Sequence, residues 1–170
     1  MNLAVVRHAI AAALLVSFAP LAFAASLPEP REETILTISG KIANTNGDGV
    51  ARLDRPMLEG LGMTKLRTKT PWYEDVVEFE GVPMQALMDY VGATGENVTA
   101  TALNDYQTTI PLSDFEEFPV LLALKRDGEY MPVRDKGPLF IVYPYDSDPA
   151  LDSDKYYSRS AWQVKELNVE

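Results

Sequence analysis

The sequence predicts an α+β domain, and three observations carry that expectation. Short β-branched or apolar stretches recur along the chain, separated by turns rich in Gly, Pro, Asn and Asp. Only two or three stretches have helical spacing, and each is short. No repeat and no internal shift in composition divides the chain, so one layered domain accounts for the pattern.

Composition narrows the function classes. The chain has 170 residues, 46% of them hydrophobic and 24% charged, a globular balance. A net charge of -10 argues against a nucleic-acid or anionic-membrane partner, since both need clustered Lys and Arg. The absence of Cys removes disulfides, thiolate metal sites and cysteine nucleophiles. Residues 1–24 read as a secretory signal peptide. Arg7 precedes an apolar run, Pro20 breaks it, and Ala22 and Ala24 occupy the positions that a signal peptidase reads. The run is too short to span a bilayer. Without residues 1–24 the chain has neither His nor Cys. Imidazole and thiolate metal sites are then excluded, as are Ser-His-Asp and Cys-His catalysis. A secreted chain without Cys fits a bacterial periplasm, so no direct membrane insertion is expected.

Residues 25–33 are rich in Pro and charge and read as a flexible lead to a single domain over 34–170. Residues 34–42 are β-branched and read as a strand. Asn44, Asn46, Asp48 and Gly49 match the start of a calcium loop, but the twelfth position is Arg55, where calcium needs a bidentate Glu. A plain turn is expected. Asp54 is placed to cap a short helix carrying Met57, Leu58 and Leu61, with Gly62 as its stop. Residues 65–70 and 76–80 read as strands. Gly81-Val82-Pro83 opens a second helix with Met84, Leu87, Met88 and Val91 on one face and Gly92 at its end. Residues 98–103 read as a strand that leads into Asn104-Asp105-Tyr106. Ser113 and Glu116 have the spacing of a capping box. Residues 120–126 and 129–132 flank Asp127-Gly128 as a hairpin. Residues 139–143 form an unbroken apolar run, the mark of a buried strand. Residues 146–155, with Asp146, Asp148, Asp152 and Asp154, are expected to be a solvated loop. Tyr143, Tyr145, Tyr156 and Tyr157 flank it and read as rim or partner surface. Residues 162–169 read as the last strand.

Three stretches, taken in order, carry a resemblance. The first is Phe79-Glu80-Gly81-Val82-Pro83-Met84-Gln85-Ala86-Leu87-Met88, ending at Gly92. The second runs from Asn104-Asp105-Tyr106 through Ile110-Pro111 and Leu121-Leu122-Ala123 to Asp127-Gly128 and Met131. The third is Arg134-Asp135-Lys136-Gly137-Pro138-Leu139-Phe140-Ile141-Val142-Tyr143-Pro144. Together they resemble the molybdopterin-binding domain of the sulfite-oxidase family. The resemblance implies that fold, with mixed β-sheets and short helices, and a pterin-type cofactor. The family's enzymes hold molybdenum through one Cys just upstream of the Gly-Val-Pro helix. Here that stretch is Arg67-Thr68-Lys69-Thr70, and Phe140 stands where an Arg usually follows Gly-x-Pro-Leu. A Thr hydroxyl cannot replace a soft thiolate ligand.

The chain is similar to small periplasmic members of that family that lack the Cys and bind a free, non-molybdenum pterin. Residues 134–139 and Ser160-Ala161-Trp162-Gln163 carry the likeness. Those members are associated with inner-membrane diguanylate cyclases and phosphodiesterases. The resemblance therefore implies a non-enzymatic pterin-binding protein that reports pterin occupancy to the periplasmic domain of a cyclic-di-GMP-metabolising regulator. The alternatives are a molybdopterin-dependent oxidoreductase with a non-Cys metal site and a ligand-free docking module.

A pterin is flat and aromatic, with a donor edge and a carbonyl. It wants a carboxylate, aromatic faces and a hydrogen-bond donor. Asn104, Asp105 and Tyr106 supply candidates, with Asp105 on the donor edge, or else they mark a turn. Arg134 and Lys136 bind the carbonyl or a polar side chain, and a phosphate if one is present, or else form a solvated turn. Trp72 and Trp162 stack on the ring or pack in the core, and Arg159 is a further ligand candidate. No catalytic residue and no metal ligand is assigned. Met57, Met63, Met84 and Met88 read as core filler.

Overall fold

The computed structural model describes residues 26–170, so the signal peptide expected over 1–24 lies outside the described residues. In chain order the elements are β1 (Leu36–Gly40), β2 (Ala51–Leu53), α1 (Arg55–Glu59), β3 (Thr64–Thr70), β4 (Tyr73–Pro83), α2 (Met84–Val91), β5 (Asn97–Ala102), β6 (Gln107–Pro111), α3 (Ser113–Glu117), β7 (Leu121–Arg126), β8 (Glu129–Tyr130), β9 (Phe140–Val142), α4 (Asp154–Arg159) and β10 (Val164–Val169). A single 3-10 turn, Val133–Asp135, lies between β8 and β9. Short helices and mixed sheets make this an α+β domain. Among the described residues no helix is long and apolar enough to cross a membrane.

One sheet has the order β2-β1-β10-β5-β6, with β1 and β10 parallel and the other pairs antiparallel. The other has the order β3-β4-β7-β8, and β9 also pairs with β7. Strands of the first sheet alternate buried and less buried residues, as a sheet with one face on the core must. Leu121 to Leu124 and Phe140 to Val142 are buried without alternation, which explains their continuous apolar sequence. Helix α2 buries Met84, Leu87, Met88 and Val91, each worth about 1.5–3 kcal/mol if fully removed from water. It stops at Gly92, whose φ of 62° is the left-handed cap conformation that glycine tolerates best. Gly81 sits at an irregularity between β4 and β7, where a Cβ would lie 2.1 Å from the Leu122 carbonyl oxygen.

Residues 26–33, expected to be flexible, are tied to the domain. The Leu27 N–H donates to the Thr45 carbonyl at 2.9 Å, and the Leu27 side chain is buried. Asn46 donates to the carbonyls of Pro28 and Arg52 and accepts from the Arg52 N–H. Asp54 caps α1 through the Met57 N–H at 2.9 Å, as its position before the helix predicted. Its second oxygen accepts the Arg31 and Glu32 N–H groups at 2.6 and 3.0 Å. Burial opposes the charge on Asp54, but the three backbone donors outweigh it and hold the carboxyl below its ordinary value. A depressed carboxylate pKa contributes stability above its unfolded value and loses it as pH falls through the folded one. Asp54→Ala is expected to lower stability by about 1–2 kcal/mol at pH 7. It should also flatten the loss of stability below about pH 4. Denaturant melts of both proteins at pH 3 and pH 7 check this.

Elsewhere the fold departs from the sequence reading. Ser113 does not cap α3, whose N-cap is Leu112 without a side-chain bond. The reason lies at Asp114, which points inward and ties this turn to the core. Tyr143, Tyr145 and Tyr156 are buried rather than on a rim, because each finds a polar partner or an aromatic neighbour inside. Strand β4 starts at Tyr73 rather than near Val76. The acidic stretch ends in helix α4, and β6 was not expected at all. Met84 and Met88 are core residues, and Met57 and Met63 pack half-buried against it.

Candidate functional site

A pocket of about 320 Å³ lies between the β5–β6 turn and the segment that joins α4 to β10. Trp72, Tyr106, Tyr157 and Trp162 give it aromatic walls. Ala102 and Ala161 are buried, and their small side chains leave its volume open. Asn104 and Ser160 add polar groups. Two tryptophans, two tyrosines and no charged side chain in the lining among the described residues give a surface on which a flat ring can stack.

The walls are held from behind. Trp72 follows β3, and its N–H donates to Thr70 Oγ1 at 3.3 Å. Its ring meets Phe140, Tyr145, Tyr157 and Trp162 edge-on at centroid distances of 5.5–6.0 Å. Such pairs contribute about 0.5–1.5 kcal/mol each beyond area burial, so the cluster is stiff. Phe140 packs on Trp72, Trp162 and Phe79 from the core side. The Tyr145 hydroxyl and Ser160 Oγ lie 2.5 Å apart, and Ser160 donates to the Tyr156 carbonyl at 2.8 Å. Lys136 sits over the Trp162 ring, with Nζ 4.1 Å from its centroid and 5.7 Å from that of Trp72. Burial pulls the Lys136 pKa below its ordinary value. Asp135 next to it is taken by Arg126 at 2.8 Å.

Tyr106 reaches from the β5–β6 turn to α4, where its hydroxyl donates to the Ser158 carbonyl at 3.1 Å. Asn104 Oδ1 accepts the Tyr106 N–H, which leaves its amide NH₂ free to donate to a ligand carbonyl. Tyr106 is 48% exposed, and its side chain is held by one hydrogen bond. Losing one such bond costs about 0.5–1.5 kcal/mol. Tyr106→Phe is therefore expected to speed ligand release by about three- to tenfold, with a smaller change in association, as read by stopped-flow fluorescence.

Of the residues singled out in the sequence, Trp72, Asn104, Tyr106 and Trp162 line the pocket, and Lys136 backs it. Asp105 does not line it. Its φ of 63° turns the backbone so that its neighbours face the pocket. Its carboxylate instead bonds Lys165 Nζ at 2.9 Å, and this bond holds its pKa below the ordinary value. Arg134 is exposed in the 3-10 turn and outside the lining. Arg159 is drawn away by Asp114 at 2.6 Å, beneath the Tyr143 hydroxyl that donates to the same oxygen at 2.7 Å. Burial first, and that bond second, push the Tyr143 pKa far above its ordinary value. Tyr157, Ser160, Ala161 and Ala102 line the pocket without having been singled out as ligand contacts. Ser160 and Ala161 lay inside the Ser-Ala-Trp-Gln pattern, which was the available signal.

A smaller pocket of about 210 Å³ shares Tyr157 and holds Lys69, Thr70, Asp146 and Asp152. Thr68 Oγ1 donates to Asp146 at 2.7 Å and the Lys69 N–H at 3.3 Å, which keeps the Asp146 pKa low. Hydroxyls, an ammonium and carboxylates gather here, and no thiolate does. Among the described residues no cluster of His, Cys, Asp and Glu could hold a metal ion.

Fold and pocket together define a small-molecule-binding α+β domain. Residues 59–146 match the model of the oxidoreductase molybdopterin binding domain family, and the chain belongs to that family. No curated protein matches the chain. The matched span includes Trp72, Asn104 and Tyr106, while Tyr157, Ser160 and Trp162 complete the pocket from beyond it. Family membership brings pterin-type binding. The lining fits a pterin ring, with aromatic faces and an amide donor. It does not fit the rest of molybdopterin as the family's enzymes hold it. Among the described residues no cation stands in the pocket lining to meet the phosphate, Lys136 being stacked against the Trp162 ring, and the chain has no Cys to ligate the metal.

Proposed function

We propose that the chain is a periplasmic, non-enzymatic protein that binds a free pterin and reports its occupancy to an inner-membrane cyclic-di-GMP-metabolising regulator. One observation carries the ligand reading: an aromatic pocket with no cation or thiolate in its lining among the described residues, in a chain of the molybdopterin-binding family. The ring enters between the tryptophans and tyrosines, and Asn104 donates to its carbonyl. A phosphate-bearing pterin finds Lys136 stacked against the Trp162 ring rather than in the lining, and binds less well.

The periplasmic reading rests on the leader-like sequence of residues 1–24. The partner reading rests on the likeness of residues 134–139 and 160–163 to the small Cys-less members. A net charge of -10 makes any association with a basic partner patch salt-sensitive.

Calorimetric titration of ligand-free protein with 6-hydroxymethylpterin and with its phosphorylated form tests the ligand. Saturable 1:1 binding is expected for the first and weaker binding for the second. Equal or tighter binding of the phosphorylated form would count against the reading.

A further inference from the structure

The aromatic pocket has walls for a flat ring and, at Asn104, a donor for its carbonyl. The N–H edge of such a ring needs an acceptor. Asp105 is turned away to Lys165 and does not supply it. Asp146 and Asp152 line the neighbouring pocket and are already engaged. Asp146 accepts the Thr68 hydroxyl and the Lys69 N–H, and Asp152 accepts the Tyr157 hydroxyl. Beside Asn104 and the aromatic residues, Ser160 is the remaining polar residue of the lining.

Ser160 directly follows α4 and is 3% exposed. The last turn of a helix leaves carbonyls without a donor from the helix itself. Ser160 meets two of them. Its N–H donates to the Tyr157 carbonyl at 3.1 Å and its Oγ to the Tyr156 carbonyl at 2.8 Å. A serine hydroxyl has one proton and two lone pairs. The proton is spent on Tyr156, whose carbonyl has none to give in return. Tyr145, with its hydroxyl 2.5 Å from Ser160 Oγ, is therefore the donor of that pair. Burial pushes the Tyr145 pKa above its ordinary value, so it keeps the proton that it shares. One lone pair of Ser160 Oγ remains, and the oxygen can only accept.

We propose that Ser160 Oγ accepts a hydrogen bond from the exocyclic amino group on the N–H edge of the bound ring, and so determines which heterocycle the pocket takes. The inference rests on reading the chain as a pterin binder, and it names the residue that tells a pterin from its close analogues. Asn104 offers a donor and Ser160 an acceptor, and a ring with one carbonyl and one amino group matches both. A lumazine has an oxygen in place of the amino group and sets oxygen against oxygen at Ser160. The hydroxyl cannot turn to donate, because that strands the Tyr156 carbonyl inside the domain. The two rings have nearly the same size and the same faces for stacking. Rejection of the lumazine therefore comes from polar groups left unpaired, not from shape.

Calorimetric titration of the purified chain with 6-hydroxymethylpterin and with 6-hydroxymethyllumazine reads this selection without any substitution. The wild type is expected to bind the pterin at least about tenfold more tightly than the lumazine. The double variant Ser160→Ala, Tyr145→Phe removes the acceptor together with the hydroxyl that its loss would strand. Its preference is expected to narrow to less than about threefold, with a thermal melt to report the fold. Tyr145→Phe alone leaves Ser160 Oγ on the Tyr156 carbonyl and is expected to keep the preference, even where both affinities shift together. Lost packing lowers both affinities in step and leaves their ratio alone, so the ratio separates ligand reading from a structural role. If the wild type binds the lumazine as tightly as the pterin or more so, or if the folded double variant keeps the full preference, the assignment of Ser160 is overturned and the pterin reading stands. If the wild type binds neither ligand, the pterin reading fails and takes this role of Ser160 with it.

Discussion

Trp162→Ala is expected to weaken pterin binding by at least about thirtyfold, equivalent to about 2 kcal/mol. Trp162 is the residue on which the site converges. It walls the pocket, packs edge-on against Trp72 and Phe140, and carries the Lys136 ammonium 4.1 Å from its ring centroid. Removing the indole takes away a stacking face and frees Lys136 from the aromatic cage. Trp162→Phe keeps a face at the same place and is expected to lose less than tenfold. The pair separates a ligand contact from a packing role, since both variants disturb the core cluster but only one removes the ring. Titration with 6-hydroxymethylpterin, alongside thermal melts, reads both. Equal affinity in the Ala variant and the wild type would remove the pocket from the account.

Arg159→Ala is expected to destabilise the domain by about 3–5 kcal/mol. The side chains of Arg159 and Asp114 are only 18% and 8% exposed, and Asp114 also accepts the Tyr143 hydroxyl. Taking away the guanidinium leaves a buried carboxylate with one neutral donor. For a domain of this size, the melting temperature should fall by about 6–20 °C. The effect reaches the site, because Ser160, Ala161 and Trp162 follow Arg159 directly and the pair anchors α4 to α3. Adding Asp114→Asn removes the orphaned charge and is expected to recover part of the loss. If the double variant is no more stable than Arg159→Ala, the pair is not the source of the effect.

Much of this domain was legible in the sequence because local and global signals agreed. The apolar face of α2 and its Gly92 stop, the Asp127-Gly128 hairpin and the buried run at 139–143 all follow from periodicity and turn chemistry. The aromatic half of the pocket was legible for a similar reason. Trp72 and Trp162 are large, rare and next to turn or pattern residues. The polar half was not, because residue type says nothing of direction. Asp105, the best carboxylate by sequence, is aimed at Lys165 by a left-handed backbone. Arg159 is held by a partner 45 residues away. Asp114 lies between the Ser113 and Glu116 that have capping-box spacing but serves a buried ion pair, a role visible only once β9 brings Tyr143 beside it. The tyrosines around the acidic stretch were misplaced because an acidic neighbourhood signals solvent, while the rings themselves fill the core. The lead at 26–33 looked flexible because its anchors, Asn46 and Asp54, lie elsewhere in the chain.

The central claim is that the aromatic pocket holds a free pterin rather than a molybdenum cofactor. Mass spectrometry of the small molecule released on denaturing the protein, purified from the periplasm of its own host, tests it most directly. The account predicts one unphosphorylated pterin per chain and no molybdenum in the same sample. Release of a molybdopterin, with its dithiolene and phosphate, in stoichiometric amount would contradict it and restore the oxidoreductase reading.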